Sequence, residues 1–270
     1  ENTRAKTTRN SLILLLTATI WGMAFVSQSK GMDYMHPFTF NGVRSLIGAA
    51  GILVYILISR KIVGDKAAKL DWKLNVKAGL LCGIFLTIAS TLQQFGIKYT
   101  SVGKAGFITT LYIIFVPMFG IFLKKKVAPV VWAAAGMAAV GMYLLCMTES
   151  LRLGAGDIMV FLCAIAFAIQ IMTVDHYAAR IDGAVVSCIQ FTVCGVVCCI
   201  GALIWGQPTF GQIQEGLGAL LYAGVLSCGV GYTLQIVGQK GLNPTVAALI
   251  MSLESVIATI SGWIAIRSVF

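Results

Sequence analysis

Two ionisable side chains stand deep inside long apolar runs, Arg44 and Glu254. Glu254 lies in "LIMSLESVIATISGW", about 17 Å into its run at ~1.5 Å per residue, which is near mid-bilayer for a spanning helix. A carboxylate there is costly unless something compensates it. Two kinds of chemistry follow. Glu254 either partners Arg44 or an amide structurally, or it lines a cavity, where it can touch a cationic or amine-bearing substrate or carry a proton. Its neighbours at helical spacing, Ala247, Met251, Ala258 and Ser261, form a mostly small face suited to helix contact rather than lipid. Arg44 shares a stripe with Asn41, Gly48 and Gly51, and its place nearer the end of its run favours a structural or coupling role.

Amides repeat the pattern. Gln28, Gln93, Gln94, Gln170, Gln190 and Gln235 fall in or at the ends of different runs. Facing lipid, each leaves polar groups unpaired, so they are expected to point inward. There they either join helices by hydrogen bonds or line a cavity. Trp21, Phe25, Tyr112, Phe167 and Tyr232 are candidate aromatic walls; packing or lipid contact is their plainer use. The candidate cavity set is Glu254, Tyr112, Gln93, Gln235, Tyr232, Gln170, Gln190, Trp21, Phe25 and Asn41, with Arg44 and Pro117 in structural or coupling roles.

The elements that position these groups are membrane spans. The chain of 270 residues is 58% hydrophobic and 11% charged, far below the roughly 25% charged of soluble domains. Nine apolar runs are long enough to cross a bilayer: 11–29, 37–58, 74–96, 105–123, 129–147, 157–178, 185–205, 217–237 and 243–264. The first run is longer than a signal-peptide core and no Ala-x-Ala site follows it. Pro37, Pro129 and Pro244 sit at helix starts, where the missing N–H matters little. Pro117 alone is well inside a run and is expected to kink or break it.

The net charge of +10 is explained by topology, with no nucleic acid needed. With the N-terminus inside, the outer segments keep only Lys30, Lys98, Lys104, Arg152 and Arg267; apart from Arg44, the other Lys and Arg residues lie on inner segments. The Lys124–Lys126 segment and the Ser59–Lys73 loop are therefore expected in the cytoplasm, and the 206–216 loop outside. Eight cysteines lie within runs without a Cys-x-x-Cys pair, so no metal site or other cofactor is expected.

The chain also resembles itself when it is shifted so that Thr91 falls on Thr233. "TLQQFGIKYTSVGKAGFITTLYIIFVPMFG" then lies over "TLQIVGQKGLNPTVAALIMSLESVIATISG". Thr91, Leu92, Gln93, Gly96, Lys98, Ala105, Ile108, Leu111 and Gly120 recur as Thr233, Leu234, Gln235, Gly238, Lys240, Ala247, Ile250, Leu253 and Gly262. Runs three and four thus correspond to eight and nine. The unit has five helices, and an odd number inverts the second copy, an arrangement that secondary transporters use. Tyr112 is the counterpart of Glu254, so the halves differ there.

"TATIWGMAFVSQ", the first repeat segment above, "GVGYTLQIVGQK" and "NPTVAALIMSLESVIATISGW" resemble the EamA-type branch of the drug/metabolite transporter superfamily. The resemblance covers most of the chain. It implies an all-α polytopic membrane protein of two inverted five-helix repeats that exports or exchanges small metabolites. Nine spans are present and a tenth is expected beyond the C-terminus, where "AIRSVF" stands in place of the family's frequent Gly-Glu. The organisation read from this is a cytoplasmic N-terminal segment, 1–10; a first repeat, 11–147; an external linker, 148–156; and a second repeat, 157–270.

The expected function is secondary transport of small polar or amphipathic metabolites, amino acids or related compounds above all, by alternating access across a prokaryotic plasma membrane. Partners are the small-molecule substrate, protons or a counter-substrate, and the lipid bilayer; a monomer is expected. No P-loop, His-x-x-Glu-His or Gly-x-Ser-x-Gly motif occurs, which argues against ATP hydrolysis through a P-loop and against an enzyme. A channel or a non-transporting scaffold or receptor is the alternative.

Overall fold

In a computed structural model of the chain, residues 3–63, 71–122 and 154–267 are described, together with scattered positions between 129 and 144. The Lys124–Lys126 segment, most of the fifth run, the core of the Ser59–Lys73 loop and residues 148–153 of the linker lie outside the described residues. The described residues form helices and no strand. This is what lipid requires of open-chain structure, because a helix satisfies its backbone groups internally. Eight helices among them are long and apolar enough to cross a membrane.

Helix α1 spans Thr3–Tyr34, α2 Pro37–Val63 and α3 Trp72–Ile97. The fourth span is two pieces, α4 Val102–Thr109 and α5 Tyr112–Phe122. Then come α6 Ala155–Tyr177, α7 Gly183–Gly201 and a short α8 Phe210–Glu215. The span Leu217–Gln239, here α9, has a π-helical middle at Tyr222–Gly231. The last span is again two pieces, α10 Pro244–Met251 and α11 Glu254–Arg267. Helix α1 exceeds its apolar run at both ends, since bilayer thickness limits the apolar stretch and not the helix.

The starts are capped as their residue types demand. Asp71, Asp182, Ser101 and Asn243 each accept a backbone N–H of the following turn. Ser101 and Asn243 occupy the same repeat position, and each opens a helix of 8 residues.

The bundle is held mainly by contacts between elements distant in sequence. Helix α2 packs on α7, α3 on α6 and α7, and α1 on α11 and α9, while α2 and α3 touch far less. The segments before and after residue 150 are therefore interleaved and enclose a common centre. Small residues permit this closeness. A Cβ on Gly156 would lie 2.8 Å from the Gly96 carbonyl oxygen, so α3 and α6 cross in backbone contact.

Both two-piece spans break at the same repeat position. Thr110 and Ser252, which correspond under the same shift, turn their hydroxyls back to donate to the carbonyls of Phe107 and Leu249, at 2.8 Å each. The backbone tightens there to three-residue bonds, Leu111 to Ile108 and Ile113 to Thr110 in one, Leu253 to Ile250 and Ser255 to Ser252 in the other. Pro117 was expected to mark the break in the fourth span. The break lies upstream of it, α5 runs through Pro117, and the last span breaks with no proline at the break. Hydroxyl back-bonding, which competes with the helix ladder, accompanies both breaks.

Candidate functional site

The residue after each break pair faces the centre. Tyr112 begins α5 and Glu254 begins α11. The two side chains lie side by side in the core, although the Tyr112 hydroxyl makes no well-formed hydrogen bond. Glu254 is 3% exposed. A carboxylate at the start of a helix is favoured by the unpaired N–H groups there. Gly22 lets α1 approach this point. A Cβ on Gly22 would stand 2.6 Å from Ile257 Cβ and 2.8 Å from the Glu254 carbonyl oxygen.

Around the carboxyl group is a cavity of about 40 Å³, room for a few water molecules. Of the ten cavity candidates, the structure brings eight to its wall: Trp21, Phe25, Gln93, Tyr112, Gln170, Tyr232, Gln235 and Glu254. Gln190 stands one step behind, accepting from Gln170 at 3.5 Å, while Gln170 in turn accepts from Gln235 at 3.3 Å. Asn41 is turned away and donates to the Ser90 carbonyl at 2.9 Å. Gln93 donates to Thr109 at 3.2 Å. Joining helices and lining the cavity are thus not alternatives: Gln93, Gln170 and Gln235 do both.

The aromatic wall is built on Tyr232, whose ring centroid is 4.6 Å from Trp21 and 5.0 Å from Phe191. The π-helical stretch of α9 just before it widens the turn and brings Ser227 and Cys228 to the wall. The Ser227 carbonyl accepts from the Trp21 indole at 3.4 Å.

Arg44 also reaches the cavity wall, which its position in α2 had not suggested. It is 5% exposed, its Nε has no hydrogen-bond partner, and no described carboxylate pairs with it. Its guanidinium carbon sits 5.4 Å from the Phe40 ring centroid. Glu254 is therefore not its counter-ion by direct contact. Sequence reasoning also left out Ser45, Ser90, Phe191, Ser227 and Cys228. One signal was available for part of the wall. Phe25 and Gln28 fall on Phe167 and Gln170 under the same repeat shift, and all four line the cavity.

A second buried charged group lies apart from this cavity. Lys104 Nζ donates to Asp157 Oδ2 at 2.7 Å, and Thr100 donates to Asp157 Oδ1 at 2.7 Å. The Gly154 amide also donates to this carboxylate, at 2.9 Å. The group ties the turn between α3 and α4 to the start of α6. From sequence, Lys104 was only an outer charge and Asp157 only a boundary.

Comparison with known proteins decides the family: the EamA-like transporter family matches residues 9–147 and 154–270. The chain belongs to the EamA-like transporter family. It is 30% identical to an uncharacterized transporter of Archaeoglobus fulgidus over 61% of this chain, and spans 48% of that relative's length. It is 27% identical to the uncharacterized transporter YwfM of Bacillus subtilis, over 93% of this chain and 84% of that one. A relative in Clostridium kluyveri, also called an uncharacterized transporter, is 24% identical over 92% and 83% of the two chains. A solved crystal structure shares the fold with a TM-score of 0.73 at 16% identity, covering 94% of this chain and 86% of that one. The family, the spanning helices and the all-α architecture agree on an integral membrane protein of transporter type.

Proposed function

We propose that this chain is a secondary transporter that moves small polar or amphipathic metabolites, amino acids among them, by alternating access. The observation that carries the reading is the shared cavity at two equivalent helix breaks, with Tyr112 from one and Glu254 from the other on its wall. Broken spans at the centre of repeated halves are where transporters bind cargo. Their interrupted ladders supply backbone that bends without unwinding a whole helix.

At about 40 Å³ the cavity is too small for a metabolite, so cargo requires the halves to move apart on one side. Access to the other side then requires the opposite motion. Glu254 interacts with an amine or exchanges a proton during the cycle, and the amides supply adaptable hydrogen bonds. Energy comes from a proton or counter-substrate gradient. The N-terminus lies in the cytoplasm of a prokaryotic cell, following the distribution of Lys and Arg.

Proteoliposome counterflow tests the reading. Vesicles loaded with an unlabelled metabolite should concentrate the labelled form transiently, with saturation. Flux that is linear in concentration and shows no counterflow would indicate a channel, and no flux across a broad metabolite panel would indicate a scaffold.

A further inference from the structure

The cavity wall carries an acid and a base, Glu254 and Arg44, that do not pair with each other. Arg44 and Glu254 are 5% and 3% exposed, and neither has an ion-pair partner among the described residues. Burying an ionisable group without a partner of opposite sign is costly, and here two such groups stand around one space. The Phe40 ring covers a single face of the guanidinium and leaves Nε, an in-plane donor, without an acceptor. The start of α11 offsets only part of the carboxylate's desolvation. Tyr232 lines the same cavity as both. Among the lining residues these are the strong base and the carboxylic acid, and neither has a partner of opposite sign among the described residues.

We propose that the cavity, once the halves have moved apart, is a zwitterion site, in which Arg44 receives a ligand's carboxylate and Glu254 its ammonium group, with Tyr232 on the same wall. The guanidinium fork matches a carboxylate in two-bond geometry, and a carboxylate accepts from an ammonium group with charge-assisted strength. Trp21, Tyr232 and Phe191 then form the surface that a bulky apolar or aromatic ligand side chain meets. A free α-amino acid with such a side chain has this combination of groups. A simple amine leaves Arg44 unmatched, and a simple carboxylate leaves Glu254 unmatched. Discrimination of this kind is strong, because the rejected ligand strands a buried polar group. Arg44 is then a substrate-binding residue and not a structural brace. That the bound zwitterion is also cargo rests on the transport reading above.

Equilibrium binding to the purified full chain tests the site without needing flux. Three probes share one ring and differ only in charge: L-phenylalanine, phenethylamine and 3-phenylpropionate. L-phenylalanine should bind at least about tenfold more tightly than either relative, as expected when one charged hydrogen-bonding group is lost. Arg44→Gln should abolish the preference over phenethylamine alone, and Glu254→Gln the preference over 3-phenylpropionate alone. Equal binding of phenethylamine and phenylalanine to the unaltered protein would overturn the proposal, as would no binding of any probe. The comparison on the unaltered protein decides even where a variant fails to fold. Zwitterion binding without counterflow would sink the transport reading and leave the site. Counterflow of an amine or an acid as fast as of the amino acid would sink the site and leave the transport reading.

Discussion

Tyr112 and Glu254 are the first residues of the second half-helices in two broken spans, and their side chains lie together at the cavity. One repeat position thus holds a phenol in one half and a carboxyl in the other. The shared backbone break brings them to the same place, and the difference in chemistry makes the site asymmetric. The side facing α11 can carry a charge, and the side facing α5 can only donate or accept a hydrogen bond.

Glu254→Gln keeps shape and hydrogen-bonding capacity and removes the ionisable group. Because Arg44 is not its contact partner, no cation is newly stranded by the change. The variant should insert and unfold within about 1 kcal/mol of the parent, while transport at neutral pH falls at least about tenfold. In a double-mutant cycle with Arg44→Gln, the coupling in stability should stay below about 1 kcal/mol, whereas breaking a direct buried pair costs about 3–5 kcal/mol. Unfolding in detergent and counterflow across pH measure both. Unaltered flux at every pH would leave a carboxyl group that merely packs.

The Lys104–Asp157 group should respond unequally to loss of its two ends. Asp157 has three donors, from Lys104, Thr100 and Gly154. Asp157→Ala takes the carboxylate away from a buried ammonium group and should destabilise by about 3 kcal/mol or more. Lys104→Met leaves the carboxylate two donors and should be the milder change. Thermal unfolding of both variants checks the order, and the reverse order would show that the carboxylate's other bonds contribute little.

Gly22 faces backbone and a branched side chain at the Glu254 end of α11. Gly22→Val should force α1 and α11 apart, destabilise by roughly 1–3 kcal/mol and reduce transport further than that loss of stability explains. Gly51 has nothing within 4 Å of a built Cβ and serves as control. Gly51→Ala should be neutral or slightly stabilising, since alanine is the better helix former. Equal behaviour of the two would show that α1 yields without consequence.

Topology is testable from described, exposed positions. With reactive native thiols removed, a cysteine at Phe210 should label with an impermeant reagent added outside intact cells. One at Lys61 or Lys77 should label only after the membrane is opened. Outside labelling of Lys61 would overturn the cytoplasmic placement of the N-terminus and of the loop after α2.

The spans were legible in sequence because lipid allows few solutions: a helix must be apolar over its whole crossing, so length and composition suffice. The correspondence of residues 91–120 with 233–262 was legible because enough identical residues persist at a fixed offset. Glu254, Tyr112 and the three cavity glutamines were legible because polar atoms in an apolar run have nowhere to go but inward. Tertiary structure decided the rest. Arg44 and Asn41 share a stripe on α2, yet one reaches the cavity and the other bonds to α3, because that choice depends on the rotation of α2 against α7 and α9. Local rule expects a kink or break at Pro117, but the break lies at Thr110, where the hydroxyl bonds back to Phe107, and such back-bonding accompanies a break only in some helices. Lys104 and Asp157 are far apart along the chain, and only the crossing of α3 and α6 at Gly96 and Gly156 brings them into contact. Charge pairs in a membrane are made by packing, and packing is a property of two surfaces at once, which a single run of sequence does not contain.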